Sequence, residues 1–193
     1  MPVGVLALQG DFREHLDVLA ELGHDGVEVR TEDELAGVAA LIIPGGESTT
    51  IGRLATIYGL IEPLRQRIES GIPVLGTCAG MIFLATATTG PEQPQLGVLD
   101  AVVERNAFGR QVDSFETVVQ IEGLRDPFEA VFIRAPWIDK VGGSVDVLAS
   151  VDDPATGRNR PVVVRQGNIF ATSFHPELTS DGRIHQLFLA EGS

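Results

Sequence analysis

The chain has 193 residues, a formal net charge of −13 and a single cysteine. The negative balance disfavours binding to nucleic acid or to an anionic membrane surface, because both reward a basic patch. One cysteine excludes an intrachain disulfide and a zinc site built from several cysteines, and it suits the reducing cytoplasm. The length and a hydrophobic content of 44% predict one globular domain that spans residues 1–193.

The first half of the chain alternates short apolar runs with longer amphipathic stretches. The run at 3–8 follows no basic segment, so it predicts a first strand rather than a signal peptide, and no apolar run approaches the ~20 residues that cross a bilayer. This alternation predicts a parallel sheet covered by helices, with ligands at the carboxyl ends of its strands. Further strands are predicted at 27–30, 39–43 and 74–76, and helices at 12–22, 51–57 (capped by residues 48–50), 60–70 and 81–85.

The second half is richer in turns, since Gly, Pro, Asp and Asn separate its apolar runs. A surface loop is predicted at 90–95, and no segment has the composition of a linker between two domains. Strands are predicted at 98–104, 117–121, 130–133, 145–151, 161–165 and 169–174, and a closing helix at 183–190.

The single cysteine lies in the sequence Gly-Thr-Cys-Ala-Gly at 76–80, between apolar runs at 72–75 and 81–85. A strand, a tight turn and a helix in that order are typical of a nucleophile elbow, here with sulfur in place of oxygen. Such a turn exposes Cys78 and points it at a helix N-terminus, which favours the thiolate. The alternative is a small buried hydrophobic residue.

A cysteine nucleophile needs a base, and the predicted strand at 169–174 runs directly into His175-Pro176-Glu177. The proline keeps His175 extended, so that Glu177 can hold one imidazole nitrogen while the other faces the sulfur. A solvated loop is the alternative. The other three histidines, His15, His24 and His185, are interpreted as surface or core residues rather than catalysts.

Attack on a carbonyl also requires donors for an oxyanion. The Ala79 N–H at the start of the predicted helix is one candidate, and the sequence Pro-Gly-Gly-Glu-Ser at 44–48 offers backbone N–H groups around Gly46. The alternative for the second segment is an ordinary strand-to-helix loop. It is no P-loop, because the lysine of that motif is missing.

These segments resemble the class I, or triad, glutamine amidotransferases, and within them the glutaminase subunits of pyridoxal 5′-phosphate synthase. The likeness covers nearly the whole chain. The elbow and His-Pro-Glu are shared by many amidotransferases, whereas Gly-Gly-Glu-Ser-Thr at 45–49 and Arg-Asn-Ala-Phe-Gly-Arg-Gln at 105–111 are specific. The remaining matching segments are Ala-Leu-Gln-Gly-Asp at 7–11, Val-Glu at 103–104, Ser-Phe-Glu at 114–116, Phe-Ile-Arg-Ala-Pro at 132–136 and Phe-His-Pro-Glu-Leu at 174–178.

The resemblance implies a flavodoxin-like three-layer α/β sandwich with a mostly parallel central sheet, and no cofactor. It implies that Cys78, His175 and Glu177 hydrolyse L-glutamine through a glutamyl thioester and pass ammonia to a TIM-barrel synthase subunit. Gln9 would lie near that partner. The implied glutamine-binding residues are Gly46, Glu47, Ser48, Arg105, Ile133 and Arg134.

Three alternatives remain open at this stage. The chain is the glutaminase of another amidotransferase, such as the one serving imidazole glycerol phosphate synthesis, or a stand-alone cysteine hydrolase, or a non-catalytic flavodoxin-like binding module. The segment at 105–111 argues against the first. Activity of the isolated chain would favour the second, and a thiol inert to glutamine-like electrophiles would favour the third.

Overall fold

A computed structural model describes residues 1–105, 114–153 and 156–191; the specific segment predicted at 105–111 therefore lies outside the described residues beyond Arg105. Within those ranges, no helix combines the length and the apolar character needed to span a membrane. The strands are β1 (Val3–Leu6), β2 (Gly26–Val29), β3 (Ala40–Ile43), β4 (Val74–Thr77), β5 (Ala85–Thr89), β6 (Leu99–Glu104), β7 (Ser114–Val119), β8 (Phe128–Ile133), β9 (Trp137–Val141), β10 (Asp146–Asp152), β11 (Asn159–Gln166) and β12 (Ile169–Thr172). The helices are α1 (Phe12–Glu21), α2 (Glu32–Ala36), α3 (Ser48–Ile57), α4 (Ile61–Glu69), α5 (Ala79–Leu84) and α6 (Arg183–Glu191), with a 3-10 turn at Pro176–Leu178.

The central sheet has the order β10-β11-β12-β4-β3-β1-β2. The strands from β12 to β2 run parallel to one another, and β11 and β10 add an antiparallel edge. The predicted α/β class with a mostly parallel sheet is confirmed. The carboxyl ends of β1, β3, β4 and β12 lie side by side, which is where such sheets hold their ligands.

Two apolar clusters cover the two faces of this sheet. Successive side chains of a strand point to opposite faces, so Leu41 and Ile43 enter one cluster while Ile42 enters the other. The first cluster contains residues of α3, α4 and α5, and the second contains residues of α1 and α6. Burial on both faces explains why the inner strands are continuous apolar runs.

Outside the central sheet, β5, β6 and β9 form one small sheet and β7 and β8 form another. Strands β5 and β9 and helix α2 have no counterpart among the predicted elements, and the helix predicted at 81–85 ends at Leu84. Strand β9 contains Asp139 and Lys140, which hide its apolar pattern, and α2 is a five-residue helix fixed by a capping box between Thr31 and Glu34. Helix α2 is too short, and strand β9 is too polar, to show a periodic hydrophobic pattern.

Several predicted ends also differ from the structure. Strand β1 ends at Leu6 and β12 ends at Thr172, each two residues before the predicted end. The strand predicted at 117–121 is Ser114–Val119, because its antiparallel pairing with β8 matches Ser114 to Ile133 and Val119 to Phe128. Pairing across the sheet therefore decides these ends, and hydropathy alone does not locate them.

Candidate active site

Cys78 forms the turn between β4 and α5. Its backbone has φ 47° and ψ −104°, a left-handed conformation that residues with side chains rarely adopt. The flanking glycines leave room for it: a Cβ on Gly76 would lie 2.5 Å from Cδ1 of Leu84, and one on Gly80 would overlap the carbonyl oxygen of Ile43. The chain therefore makes the sharp strand-to-helix turn that the sequence predicts.

His175 lies beside Cys78 because β12 pairs with β4. The Cys78 N–H donates to the carbonyl of Thr172 at 2.9 Å, and His175, three residues further on, donates its own N–H to the carbonyl of Val131 at 3.0 Å. Cys78 and His175 line the same cavity, and the Cys78 side chain raises the pKa of the imidazole. The predicted nucleophile and base, which are distant in sequence, thus meet at one edge of the sheet.

Glu177 holds the other side of the same ring, with its Oε1 at 2.7 Å from Nδ1 of His175. The prediction that His175-Pro176-Glu177 is extended is wrong, because Pro176–Leu178 forms a 3-10 turn closed by a Leu178 N–H to His175 carbonyl bond of 3.3 Å. Proline suits the first position of such a turn. The turn folds the carboxylate back against the imidazole, so the predicted pairing arises by a different backbone path.

The pKa values of His175 and Glu177 depend on their neighbours in the site. Burial by itself would lower the pKa of His175, but hydrogen bonds and charges from Cys78 and Glu177 outweigh it and raise that pKa to about 11. Burial raises the pKa of Glu177, and the hydrogen bond and charge of His175 oppose that rise. The arrangement favours an imidazolium at His175, held by the Glu177 carboxylate on the side away from Cys78.

A cavity of about 400 Å³ opens above Cys78. Glu177 does not line it, because it lies behind His175. Asp11, Ile82 and Leu178 also line it and are not among the predicted site residues. The predicted site residues that line the cavity are Gln9, Gly46, Glu47, Ser48, Cys78, Ala79, Arg105, Ile133, Arg134 and His175.

Residues 5–192 match the SNO glutamine amidotransferase family. The chain belongs to this family. It is 59% identical to the pyridoxal 5′-phosphate synthase subunit PdxT of Thermus thermophilus, over 97% of this chain and 95% of that protein, and 54% identical to PdxT of Moorella thermoacetica, over 98% of each. A crystal structure described as a glutamine amidotransferase superposes with a TM-score of 0.92 at 55% identity, covering 100% of this chain and 99% of the other.

In this glutamine amidotransferase, Glu47 begins α3. The predicted capping by residues 48–50 is wrong: the Glu47 carboxylate accepts the Thr49 N–H at 3.1 Å and the Thr50 N–H at 2.7 Å. Partial burial raises the pKa of Glu47, but these bonds and the Thr50 hydroxyl outweigh it and lower the pKa to about 2. Arg105 Nη2 lies 3.4 Å from Oε1, so a fixed negative charge and a cation stand side by side at the cavity.

The amidotransferase loop at Gly45 and Gly46 packs tightly against the segment after β1. Gln9 Oε1 accepts the Glu47 N–H at 2.7 Å, and the Asp11 N–H donates to the Gly45 carbonyl at 3.1 Å. Gly46 has φ +149°, and a Cβ there would lie 2.5 Å from Oε1 of Gln9. Only glycine permits this approach.

The remaining predicted residues occupy different parts of the cavity. Ser48 is buried, and its hydroxyl donates to Oε1 of Gln93 at 3.1 Å. Ile133 ends β8 and is 37% exposed. Arg134 follows it with φ 42°, the second side-chain-bearing residue of the described chain with positive φ after Cys78, so both strained residues belong to this site.

Asp11, His175 and Glu177 each bring one oxygen or nitrogen atom within 4.8 Å of the others, a spacing that could hold a metal ion. Nδ1 of His175 is 2.7 Å from Oε1 of Glu177 and 3.4 Å from Oδ2 of Asp11. The shorter distance is an ordinary hydrogen bond. We interpret the cluster as an oriented base.

One of the histidines assigned to surface or core touches the proposed triad, and a second touches that histidine. His24 is exposed, but His15 and His185 are fully buried, and Nε2 of His15 lies 3.4 Å from Oε2 of Glu177. The sequence of α1 already indicates that His15 is buried, because His15, Val18 and Leu19 have the i, i+3, i+4 spacing of one buried helix face. A histidine on an apolar face signals a buried partner.

Proposed function

We propose that the chain is the glutaminase subunit of a pyridoxal 5′-phosphate synthase, which hydrolyses L-glutamine to glutamate and ammonia. The observation that carries the proposal is that Cys78 and His175 line one cavity while Glu177 holds the imidazole of His175 from behind. Relatives that are 54–59% identical over nearly their full length and are named as synthase subunits support the choice among amidotransferases.

The reaction begins with the thiolate of Cys78, which attacks the side-chain amide carbon of glutamine. The imidazolium of His175 gives its proton to the departing nitrogen, so that ammonia leaves and a glutamyl thioester forms. Water then enters, His175 takes one of its protons, and the oxygen attacks the thioester. Collapse releases glutamate and restores the thiolate and the imidazolium. Glu177 keeps one ring nitrogen protonated throughout.

The negative oxygen formed at each attack needs donors. We assign this role to the backbone N–H groups of Gly46 and Ala79, two residues that line the cavity together with Cys78. The close approach of Gly46 to Gln9 supports the assignment, because it fixes the loop that carries one donor. Fixed dipoles stabilise such a charge without reorganising.

The charged groups of the cavity suit a free amino acid. Arg105 and Arg134 offer planar guanidinium groups that bind a carboxylate through two parallel hydrogen bonds, and Glu47 offers a permanent negative charge to an ammonium group. Ser48 and Ile133 complete the walls of the proposed glutamine site. A zwitterion with an uncharged amide end fits this pattern.

Ammonia released into water becomes largely protonated near neutral pH and loses its nucleophilicity, so transfer within a complex is an advantage. We propose a TIM-barrel synthase as the partner and the cytoplasm, where a thiolate stays reduced, as the location. Gln9 lies on the segment that we place near the partner. Ile133 and Leu178, 37% and 42% exposed at the cavity, offer apolar contact area there.

The test measures release of glutamate with and without the synthase subunit. Wild-type chain with its synthase should hydrolyse glutamine and support synthesis from glutamine, and Cys78→Ala should abolish both. The Cys78→Ala complex should still synthesise product when ammonia is supplied, which separates loss of glutaminase activity from loss of assembly. Hydrolysis of glutamine by the Ala variant would refute the mechanism, and full activity of the isolated chain would favour a stand-alone hydrolase.

A further inference from the structure

Behind the proposed triad, a row of buried imidazoles runs from α6 to Glu177. Nε2 of His185 lies 2.8 Å from Nδ1 of His15, although the two residues are 170 positions apart. On its other side, Nε2 of His15 lies 3.2 Å from Oγ1 of Thr77 and 3.4 Å from Oε2 of Glu177. His15 thus stands against the strand that precedes Cys78 and against the triad carboxylate.

The surroundings decide which ring nitrogens carry protons. Among the described residues, Oε2 of Glu177 and Nδ1 of His185 have no partner within ordinary hydrogen-bond geometry. A bare Nε2 on His15 would direct a lone pair at a carboxylate oxygen, which is repulsive. A protonated Nδ1 on His185 would leave a buried donor unsatisfied. Both penalties vanish when His185 donates from Nε2 to His15 and His15 carries its proton on Nε2.

We propose that His15 is a positioning residue of the glutaminase, which directs its Nε2–H at Oε2 of Glu177 and fixes that carboxylate against His175. The proposal rests on the triad proposed above. His185 has a supporting part, because its N–H sets the tautomer of His15. Thr77 offers its hydroxyl oxygen to the same N–H, so the donor is shared between the carboxylate and the strand that carries Cys78.

A positioning residue is useful here because His175 has a second carboxylate within reach. Oδ2 of Asp11 lies 3.4 Å from Nδ1 of His175, and Glu177 Oε1 lies 2.7 Å from the same atom. Asp11 is partly exposed and lines the cavity, whereas Glu177 is buried. A Glu177 side chain that is free to rotate would let the ring turn towards Asp11 and away from the sulfur. The N–H of His15 opposes that rotation.

Electrostatics favours a neutral donor at this position. Burial, followed by the charges of His185 and His175, lowers the pKa of His15 well below its usual value, and burial lowers the pKa of His185 to about 4. Both rings are therefore uncharged near neutral pH. A second full positive charge on the far side of Glu177 would compete with the imidazolium of His175 for the same carboxylate, whereas a dipole orients it without neutralising it.

The test compares His15→Gln with His15→Leu in the complex with the synthase. Glutamine places an amide N–H where Nε2 stood, and leucine fills similar space without a donor. We expect His15→Leu to lower kcat for glutamine hydrolysis roughly 10- to 100-fold, as loss of outer hydrogen-bonding residues does elsewhere. KM should stay within about twofold, because His15 does not line the cavity. His15→Gln should recover most of kcat, and the exposed control His24→Leu should match wild type.

Equal kcat values for folded His15→Leu and wild type, or equal losses in folded Leu and Gln variants, would overturn the proposal. Ammonia-driven synthesis reports whether each variant folds and assembles. If the His15 variants do not fold, the pair His185→Gln and His185→Met decides, since only glutamine still donates to His15: the proposal requires a higher kcat for Gln and fails if the two are equal. A wild-type complex without glutaminase activity would instead refute the proposed function.

Discussion

Thr77 and Thr172 are register partners on the parallel strands β4 and β12. The next residue after Thr77 is the proposed nucleophile, and the proposed base follows Thr172 by three positions, so backbone pairing sets the distance between sulfur and imidazole. The Cys78 N–H to Thr172 carbonyl bond of 2.9 Å extends the ladder to the nucleophile itself. Substitutions confined to side chains of the triad should therefore change activity and leave the fold intact.

Glu177→Gln tests the orientation of the base. An amide in place of the carboxylate favours the wrong tautomer of His175, and we expect kcat for glutamine hydrolysis to fall by about 10⁴-fold, as tautomer loss does in serine proteases. Steady-state glutaminase assays of the synthase complex measure it, with melting temperature as the check on folding. Glu129→Gln on the exposed face of β8 is the matched control. Unchanged turnover would assign Glu177 a purely structural part.

Gly45→Ala should displace the imidazole. A Cβ at this position would lie 2.8 Å from Nδ1 of His175 and overlap the adjacent Cε1. A shift of about 1 Å in a catalytic group lowers rates by about 100-fold, and overpacking destabilises by about 1–3 kcal/mol. Gly143→Ala, whose added Cβ would meet nothing within 4 Å, is the control for the general effect of replacing a loop glycine by alanine. Kinetics and urea unfolding of both variants measure the effect, and a fully active Gly45→Ala variant would contradict it.

Arg105→Lys separates charge from geometry in the proposed glutamine site. Lysine keeps the positive charge beside Glu47 but loses the planar fork that binds a carboxylate through two bonds. We expect KM for glutamine to rise by about 10-fold, the equivalent of about one charged hydrogen bond, with kcat changed by less than about threefold. Arg125→Lys, at an exposed position, controls for the general effect of the exchange. An unchanged KM would remove Arg105 from substrate binding.

Acid should destabilise the chain through its buried histidines. The pKa of His185 falls from 6.5 to about 4 on folding, so the unfolded chain binds the proton first and stability is lost as pH drops through this window. Between pH 7 and pH 5 this single group should remove about 2 kcal/mol of unfolding free energy. His15 acts in the same direction.

Urea unfolding of wild type and His185→Gln at the two pH values measures this difference. The variant should lose about 2 kcal/mol less than wild type over the interval. Contributions from Glu177, whose raised pKa acts with the opposite sign, and from His175, whose pKa of about 11 leaves it charged when folded throughout, are common to both proteins. Identical pH dependence of the two would contradict the assignment of a neutral His185.

The sequence predicted those parts of the site that depend on local pattern. The turn at Cys78 follows from a glycine on each side of it, and the parallel sheet follows from buried runs separated by helices. The cap of α3 was missed because serine and threonine are common caps, whereas the adjacent Glu47 folds its carboxylate over the same N–H groups. The 3-10 turn after His175 was missed because proline is compatible with both extended and turn conformations at its own position.

The sequence could not reveal which distant residues pack behind the proposed triad. His15 lies on the buried face of α1, which indicates a buried partner but does not identify it, and only the packing of α1 beside α6 joins His15 to His185 behind Glu177. Asp11 is a similar case. In the sequence it only precedes a predicted helix, whereas in the structure its carboxylate lies close to the imidazole of His175. Tertiary packing, rather than propensity, determines these neighbours.

The segment from Gln9 to His15 contacts both the Gly45 loop and the turn that follows His175. Gln9 accepts the Glu47 N–H, the Asp11 N–H donates to the Gly45 carbonyl, and His15 faces Glu177. A chimera that takes this stretch from one homologue and the Gly45 loop or the His175 turn from another would combine pieces shaped for different neighbours. In domain-grafting experiments, residues 9–15 should therefore be transferred together with the Gly45 loop and the His175 turn.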